Sequence, residues 1–375
     1  MRIARDTKTH LISIIAVVLF STLLLYLPFL LRIGIAGLQI PHLDMSFIYK
    51  NYDGLLYIIP AKTWYNIQSI RSLQLELPLD PRYFAAHLPL YPFFISIFSF
   101  IGFIRSMIFV NILATVLLAI VFYLVVKKLK LSDNPLILTF VFLFLPRFLV
   151  LRTVGAPESL FMLTILLSLY FFEKKQYLYA GIFGGLSVLT KTPGILLFIA
   201  YILTFAEQYM KQRKISFSSL WIFLIPISFL GLFYFYQMQT GDFFAYFHTG
   251  GVVPMLYPFA VFNFQAKWVG TAWLEDVVLY FFLYLSSIVQ LKEIKYRSIF
   301  YFGLVFFLGT IIVQHRDISR YILPMWPLAC IAFEKHLTSK KFLIVLILLL
   351  PAIYLYAWNF ILFNVMPVSN WSPYM

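Results

Sequence analysis

Residues 11–33 read LISIIAVVLFSTLLLYLPFLLRI, 23 positions in which the first charge is Arg32. A straight helical crossing of a bilayer needs ~20 such residues. The ten residues ahead of it, MRIARDTKTH, carry Arg2, Arg5 and Lys8. The apolar run is longer than the core of a secretory leader and no small-residue cleavage site follows it, so it reads as an uncleaved signal anchor. Further apolar runs follow at 107–126, 135–150, 158–172, 177–190, 193–206, 217–236, 273–290, 298–313, 322–334 and 342–363. Composition agrees: of 375 residues 62% are hydrophobic, 20% aromatic and 12% charged, about half the charged fraction of a soluble domain. The expected fold class is an all-α polytopic membrane protein with about 11 transmembrane helices, forming a single domain over 1–375. Its parts are a first span at 11–33, a first outer loop at 34–88, central spans over 89–236, a second outer loop at 237–272 and C-terminal spans over 273–363.

Charge decides orientation. The clusters Arg2/Arg5/Lys8, Lys127/Lys128/Lys130, Lys174/Lys175, Lys211/Arg213/Lys214, Lys292/Lys295/Arg297 and Lys335/Lys340/Lys341 fall on one side if the stretch Pro89–Ile104 does not cross. That side then holds 17 of the 29 basic residues but only six of the 15 carboxylates, as the positive-inside rule requires. The N-terminus is accordingly expected in the cytoplasm, the C-terminus outside, and 89–104 in a re-entrant or interfacial helix. An integral protein of a prokaryotic cytoplasmic membrane fits this pattern.

Several function classes are excluded. The net charge of +14 is spread over short clusters between apolar runs and makes no basic face for nucleic acid. Cys330 is the only cysteine, which rules out an internal disulfide and a multi-Cys metal site. No His/Cys/carboxylate cluster has metal-ligand spacing, and no cofactor is expected; Asp44 and Asp53 alone are slender grounds for a divalent cation. No phosphate-cradling glycine loop precedes a Lys-Ser/Thr pair, so energy or substrate must come from the membrane or its outer face.

The first long loop carries the chemistry-bearing residues. Within it, DGLLYIIPAKTWYNI (53–67) is expected to lie flat on the bilayer, interrupted at Pro60, with Leu55, Leu56, Ile59, Trp64 and Tyr65 toward lipid. NYDGLLYIIPAKTWYN (51–66), followed by YFAAHLPLYPFF (83–94), resembles the first outer loop of the C-type glycosyltransferases, in particular the PIG-V-like and bacterial mannosyltransferases. Three later stretches resemble that superfamily in the same order: APESL (156–160), LTKTPG (189–194) and RYILP (320–324). Two positions depart from the pattern, since Tyr52 stands where Trp is commoner and Lys191 where Arg is commoner. The resemblance implies transfer of one hexose, with mannose expected, from a polyprenyl-phosphate sugar to an extracytoplasmic lipid, glycan or protein acceptor, with inversion. It also implies Tyr52, Tyr91 and Tyr321 as substrate-binding positions.

The chemistry of such a transfer asks for the residue types present. An acceptor hydroxyl is a poor nucleophile, so a carboxylate must take its proton. Asp53 is the expected base and Asp44 the second candidate; an N-cap for the helix that follows Asp53, and a solvated loop acid for Asp44, are their structural alternatives. The leaving phosphate gathers negative charge and needs cations. Arg316 and Arg320 in HRDISRY, four apart, would share one side of a helix, with Lys191 and His87 as further phosphate ligands. Glu158, at the outer start of a span, is either a first-turn carboxylate favoured by the helix dipole or a substrate contact. Arg147 and Arg152 read as interface anchors, and Gly181 and Gly185 as a close-packing pair. Asn370-Trp371-Ser372 matches a glycosylation sequon by accident of sequence, being followed by Pro373. The competing classes are a transporter or flippase of lipid-linked saccharide, and a lipid-linked glycan polymerase or ligase.

Overall fold

The computed structural model describes the chain except residues 1, 36, 38, 39, 41, 214, 215, 251, 253 and 266–272. Lys214 of the fourth basic cluster and the last part of the second long loop therefore lie outside the described residues. The helices in chain order are α1 (Arg2–Leu31), α2 (Ser46–Tyr49), α3 (Ile58–Thr63), α4 (Ile67–Ser72), α5 (Leu90–Ile97), α6 (Phe103–Lys128), α7 (Pro135–Leu143), α8 (Pro146–Leu151), α9 (Glu158–Glu173), α10 (Tyr177–Thr190), α11 (Leu196–Gln212), α12 (Leu224–Thr240), α13 (Ala245–Thr249), α14 (Trp273–Leu291), α15 (Arg297–Ile311), α16 (Ile318–Tyr321), α17 (Trp326–Ala332), α18 (Glu334–Leu337) and α19 (Lys340–Phe363). The protein is an all-α integral membrane protein. Each of the 11 apolar runs carries helix, and among the described residues six stretches are individually long and apolar enough to cross a bilayer: 6–31, 103–128, 192–211, 217–240, 274–291 and 340–363. The run at 135–150 is broken where Leu145 turns extended ahead of Pro146, because a proline disfavours the helical conformation in the residue before it.

The chain forms two compact units, residues 1–163 with 334–375, and residues 164–333, the boundary falling within α9. In the first, α1 packs on α6 and α7, and α19 on α8. Lipid tails are as apolar as leucine, so such helices are held by packing and internal hydrogen bonds more than by exclusion of water. Phe122 and Phe142 stack with centroids 4.7 Å apart. Arg152 is fully buried, its guanidinium donating to Ser21 Oγ at 2.8 Å and Thr22 Oγ1 at 3.3 Å on α1. Arg147 is also buried and lies over the Phe360 ring at 4.3 Å. Neither is an interface anchor: both charges are turned inward onto neighbouring helices.

In the second unit, α10 meets α12 and the 3-10 turn that opens it. A Cβ on Gly181 would stand 2.1 Å from the Trp221 carbonyl oxygen, and one on Gly185 2.4 Å from Ser228 Oγ, so the glycine pair closes this packing. At one end, Arg297 Nε donates to Glu207 at 2.8 Å and Ser298 Oγ to Glu173 at 2.6 Å.

The first long loop is folded onto the first unit. Leu55, Ile59 and Tyr65 are buried, with α3 packed on α5 and α6, and only Trp64 is substantially exposed. The flat helix expected on the lipid surface is instead part of the core. Pro60 does not interrupt it. Standing third in α3, where its missing N–H is an orphan of the first turn anyway, it is tolerated, and the break falls at Trp64 and Tyr65, both left-handed at φ 49° and 66°. The 89–104 stretch forms α5, only eight residues long, and a 3-10 turn.

Candidate active site

Asp53 stands at the turn between α2 and a 3-10 helix over Gly54–Tyr57. It occupies the N-cap position, yet its side chain makes no capping hydrogen bond. The carboxylate instead lies 3.8 Å from His87 Nε2, one-third exposed while the imidazole is buried. Tyr57 and Tyr83 flank that imidazole at ring-centroid distances of 4.7 and 5.5 Å, and the Tyr65 hydroxyl donates to the His87 carbonyl. Burial first, then the Asp53 charge, holds the Tyr83 hydroxyl above the usual phenol range. A carboxylate, an imidazole and a phenol thus share one site, the imidazole near enough to Asp53 for a charge interaction and too far for a direct hydrogen bond.

Two glycines bring a second acid close. A Cβ on Gly54 would meet Gly155 O at 2.9 Å and Gly155 Cα at 3.1 Å, so the backbone after Asp53 lies directly on the turn that leads into α9. That turn is pinned by Asn111 Nδ2, which donates to the Leu151 carbonyl at 2.7 Å and also to that of Val154. Glu158, nearly fully buried, opens α9 three residues later, where the helix dipole favours a negative charge. The charges of Glu158 and Asp53 both reach the hydroxyl of Tyr91, which donates to the Met107 carbonyl at 2.7 Å. The sequence gives no local signal of this contact between residues a hundred positions apart.

Tyr52 adopts a left-handed backbone, φ 52°, uncommon for a residue with a Cβ. Its ring lies 5.3 Å from that of Phe360, and the Arg147 guanidinium stands 5.8 Å from its centroid. Arg147 is a site neighbour that the sequence reading missed. Its position directly after Pro146, at a helix start, was the available signal. Asp44, the second candidate base, lies in the loop ahead of α2. Its Oδ1 accepts from Ser46 N at 2.8 Å, and hydrogen bonding from Ser46 holds the carboxyl below its ordinary value despite partial burial. With Arg32, Tyr49 and Trp371 it lines an open pocket of about 460 Å³.

The second unit assembles the cations. Lys191 ends α10 in an extended conformation and its ammonium lies 5.6 Å from the Tyr321 ring. His315 packs against Tyr321 at 4.7 Å and its Nδ1 accepts from Asp317 N at 3.0 Å. The charges of Arg320, Arg316 and Lys191 all act on His315, with Asp317 opposing them. The two arginines do not share a helix face, because α16 starts only at Ile318 and leaves Arg316 in the preceding turn, exposed. The cluster comes from two separated segments folding together. Lys191, Arg316, Arg320 and Tyr321 belong to the second unit, while Asp53, Asp44, His87, Glu158, Tyr52 and Tyr91 belong to the first. Among the described residues no group of three or more His, Cys, Asp or Glu side chains is placed to hold a metal ion.

Residues 86–236 match the family described as dolichyl-phosphate-mannose-protein mannosyltransferase. No curated protein sequence matches the chain. Among solved structures, ArnT from Cupriavidus metallidurans bound to undecaprenyl phosphate shares the fold with a TM-score of 0.54 and 12% identity, over 85% of this chain and 73% of ArnT. The oligosaccharyltransferase AglB from Archaeoglobus fulgidus, in complex with an inhibitory peptide and a dolichol-phosphate, matches with a TM-score of 0.53 and 14% identity, over 96% of this chain but only 57% of AglB. The apo form of the Archaeoglobus fulgidus oligosaccharyltransferase matches at 0.55 and 14%, again over 96% and 57%. Over residues 86–236 the chain is thus similar to the dolichyl-phosphate-mannose-protein mannosyltransferase family, and over most of its length it shares the fold of ArnT and AglB.

Proposed function

We propose that the protein moves a hexose, mannose in the first instance, from a polyprenyl-phosphate sugar to an extracytoplasmic lipid, glycan or protein acceptor, with inversion. The observation that carries this reading is the Asp53 carboxylate, uncommitted to helix capping and set beside the buried His87 imidazole. In the reaction the acceptor oxygen attacks the anomeric carbon while Asp53 takes its proton. The bond from that carbon to phosphate breaks, and the polyprenyl phosphate leaves as a monoester. One inverting displacement needs one base, and no glycosidase-like pair of acting carboxylates. Lys191 and Arg320, with Arg316, supply the kind of positive group that a leaving phosphate requires. Tyr52, Tyr91 and Glu158 in the first unit, and separately Tyr321 in the second, are the positions that the sequence resemblance offers for sugar contact. The positive-inside distribution supports a cytoplasmic N-terminus and an outward-facing site in a prokaryotic cytoplasmic membrane.

The test is transfer of radiolabelled sugar from synthetic polyprenyl-phosphate mannose or glucose in membranes containing wild type, Asp53→Asn or Asp44→Asn protein. Loss of transfer by at least ~100-fold in Asp53→Asn, in the range of a removed general base, with Asp44→Asn close to wild type, is the expected outcome. Full activity in Asp53→Asn would reject the base assignment. Absence of wild-type transfer with saturable movement of a lipid-linked saccharide across the bilayer would replace the enzyme by a transporter.

A further inference from the structure

The chain beyond α19 folds back along the first long loop and meets it on both sides of the candidate base. Asn364 O accepts from Tyr52 N at 3.1 Å, and Met366 N donates to Lys50 O at 2.8 Å, around an antiparallel bridge between Asn51 and Val365. The fully buried Asn51 donates from Nδ2 to Ile361 O at 3.0 Å. Lys50 Nζ reaches Val368 O at 2.6 Å and lies over the Trp371 ring at 4.8 Å. Farther out, Glu76 accepts from Ser369 N, Ser369 Oγ and Asn370 N at 3.1, 2.7 and 3.1 Å. Lys62 Nζ donates to Pro373 O at 2.9 Å and to Met375 O at 2.6 Å. The Asn370 side chain is itself used inside the segment, accepting from Ser372 N at 3.0 Å.

These bonds converge on the residues just ahead of Asp53. Tyr52 is left-handed at φ 52°, a conformation that persists in a residue with a Cβ only where surroundings enforce it. Its dihedrals set where the next side chain points, and its amide is bound by Asn364. We propose that residues 364–375 act as a strap that holds the Lys50–Tyr52 backbone in its strained turn and thereby positions the Asp53 carboxylate. The strap is a positioning element and touches no reacting atom. This inference rests on Asp53 being the base. Lys50, Glu76 and Lys62 are its side-chain anchors, meeting Val368, Ser369 with Asn370, and Pro373 with Met375 in turn; the first two flank one another nearest the turn.

The experiment compares wild type, Lys50→Met/Glu76→Ala, Lys50→Arg, and Met366→Pro, which deletes the donor to the Lys50 carbonyl. Amide exchange over residues 50–54 is expected to speed up about tenfold or more in Lys50→Met/Glu76→Ala and Met366→Pro while α6 and α19 keep their protection. In the transfer assay kcat is expected to fall about tenfold at unchanged donor KM, the signature of a misplaced group. Lys50→Arg, which keeps a donor for Val368, should return the rate. Unchanged exchange in both disrupted variants overturns the strap. Faster exchange with unchanged kcat overturns its positioning role. Should Asp53→Asn retain full transfer, the base assignment itself fails; an inactive Asp53→Asn beside a fully active Lys50→Met/Glu76→Ala sinks the strap alone.

Discussion

Replacing Gly54 by alanine tests the geometry of the first unit at its tightest point. The added Cβ would stand 2.9 Å from Gly155 O, 3.1 Å from Gly155 Cα and 3.4 Å from Gly155 C. All three are backbone atoms, so no side chain can swing aside, and restoring ordinary contact at ~3.4 Å or more needs a relative displacement of about half an ångström. Small-to-large changes in packed interiors cost about 1–3 kcal/mol, a lowering of Tm by several degrees. The larger effect should be on rate. A 1 Å misplacement can cost about 100-fold, so half of it at the residue following Asp53 is worth roughly tenfold in kcat. The assay is steady-state transfer from a polyprenyl-phosphate sugar, with kcat and KM separated, beside thermal unfolding in the same detergent. Gly54→Ala with both kcat and Tm at wild-type values would show that the two turns are not held together and would refute the reasoning.

Lys191→Met and Arg320→Met should each raise the donor KM or lower kcat by about 10–100-fold, the worth of a charged hydrogen bond, with Lys191→Arg retaining most activity; unaltered kinetics in both would remove the cation cluster from the reaction. Gly181→Val should destabilise the second unit by at least ~1–3 kcal/mol, read as a lower Tm, because its Cβ position is 2.1 Å from a carbonyl oxygen. His315 gives a pH dependence. Burial depresses its pKa, opposed by Asp317 and reinforced by Arg320, Arg316 and Lys191. The unfolded chain therefore binds the proton first, so this contribution leaves stability undiminished above the ordinary value of 6.5 and reduces it as pH falls from there through the lowered folded value. Wild-type Tm should drop more between pH 7.5 and 5 than that of His315→Gln; parallel slopes would discount the buried imidazole.

The membrane architecture was legible because apolar character needs no partner: each run carries helix, although those at 135–150 and 322–334 are split and that at 217–236 opens with a 3-10 turn. Where one residue was read without its neighbours, the reading failed. A lone proline reads as a breaker, but the place of Pro60 in the first turn makes it harmless. Leu55 and Ile59 fit a lipid-facing pattern yet are buried in protein, since apolar character is the same whether a face meets tails or side chains. The i,i+4 spacing of Arg316 and Arg320 implied one helical face, which the late start of α16 denies. Asp53 was visible through its motif. Its pairing with His87, the touch of Gly54 on Gly155 and the left-handed Tyr52 were not, because each depends on segments distant in sequence.

The burial of Arg152 has a consequence for biogenesis. A guanidinium at the centre of a bilayer costs about 2.5–3.5 kcal/mol on insertion scales, and here it is sheltered by hydroxyls of α1. Since α1 leaves the ribosome more than a hundred residues ahead of Arg152, its cradle is already synthesised when the charge emerges. The first helix is thus expected to assist insertion of the segment that follows α8 by offering Ser21 and Thr22 to the arriving guanidinium. Replacing Ser21 and Thr22 by valine would then show itself during synthesis, as failed integration, before any effect on the finished protein is measured.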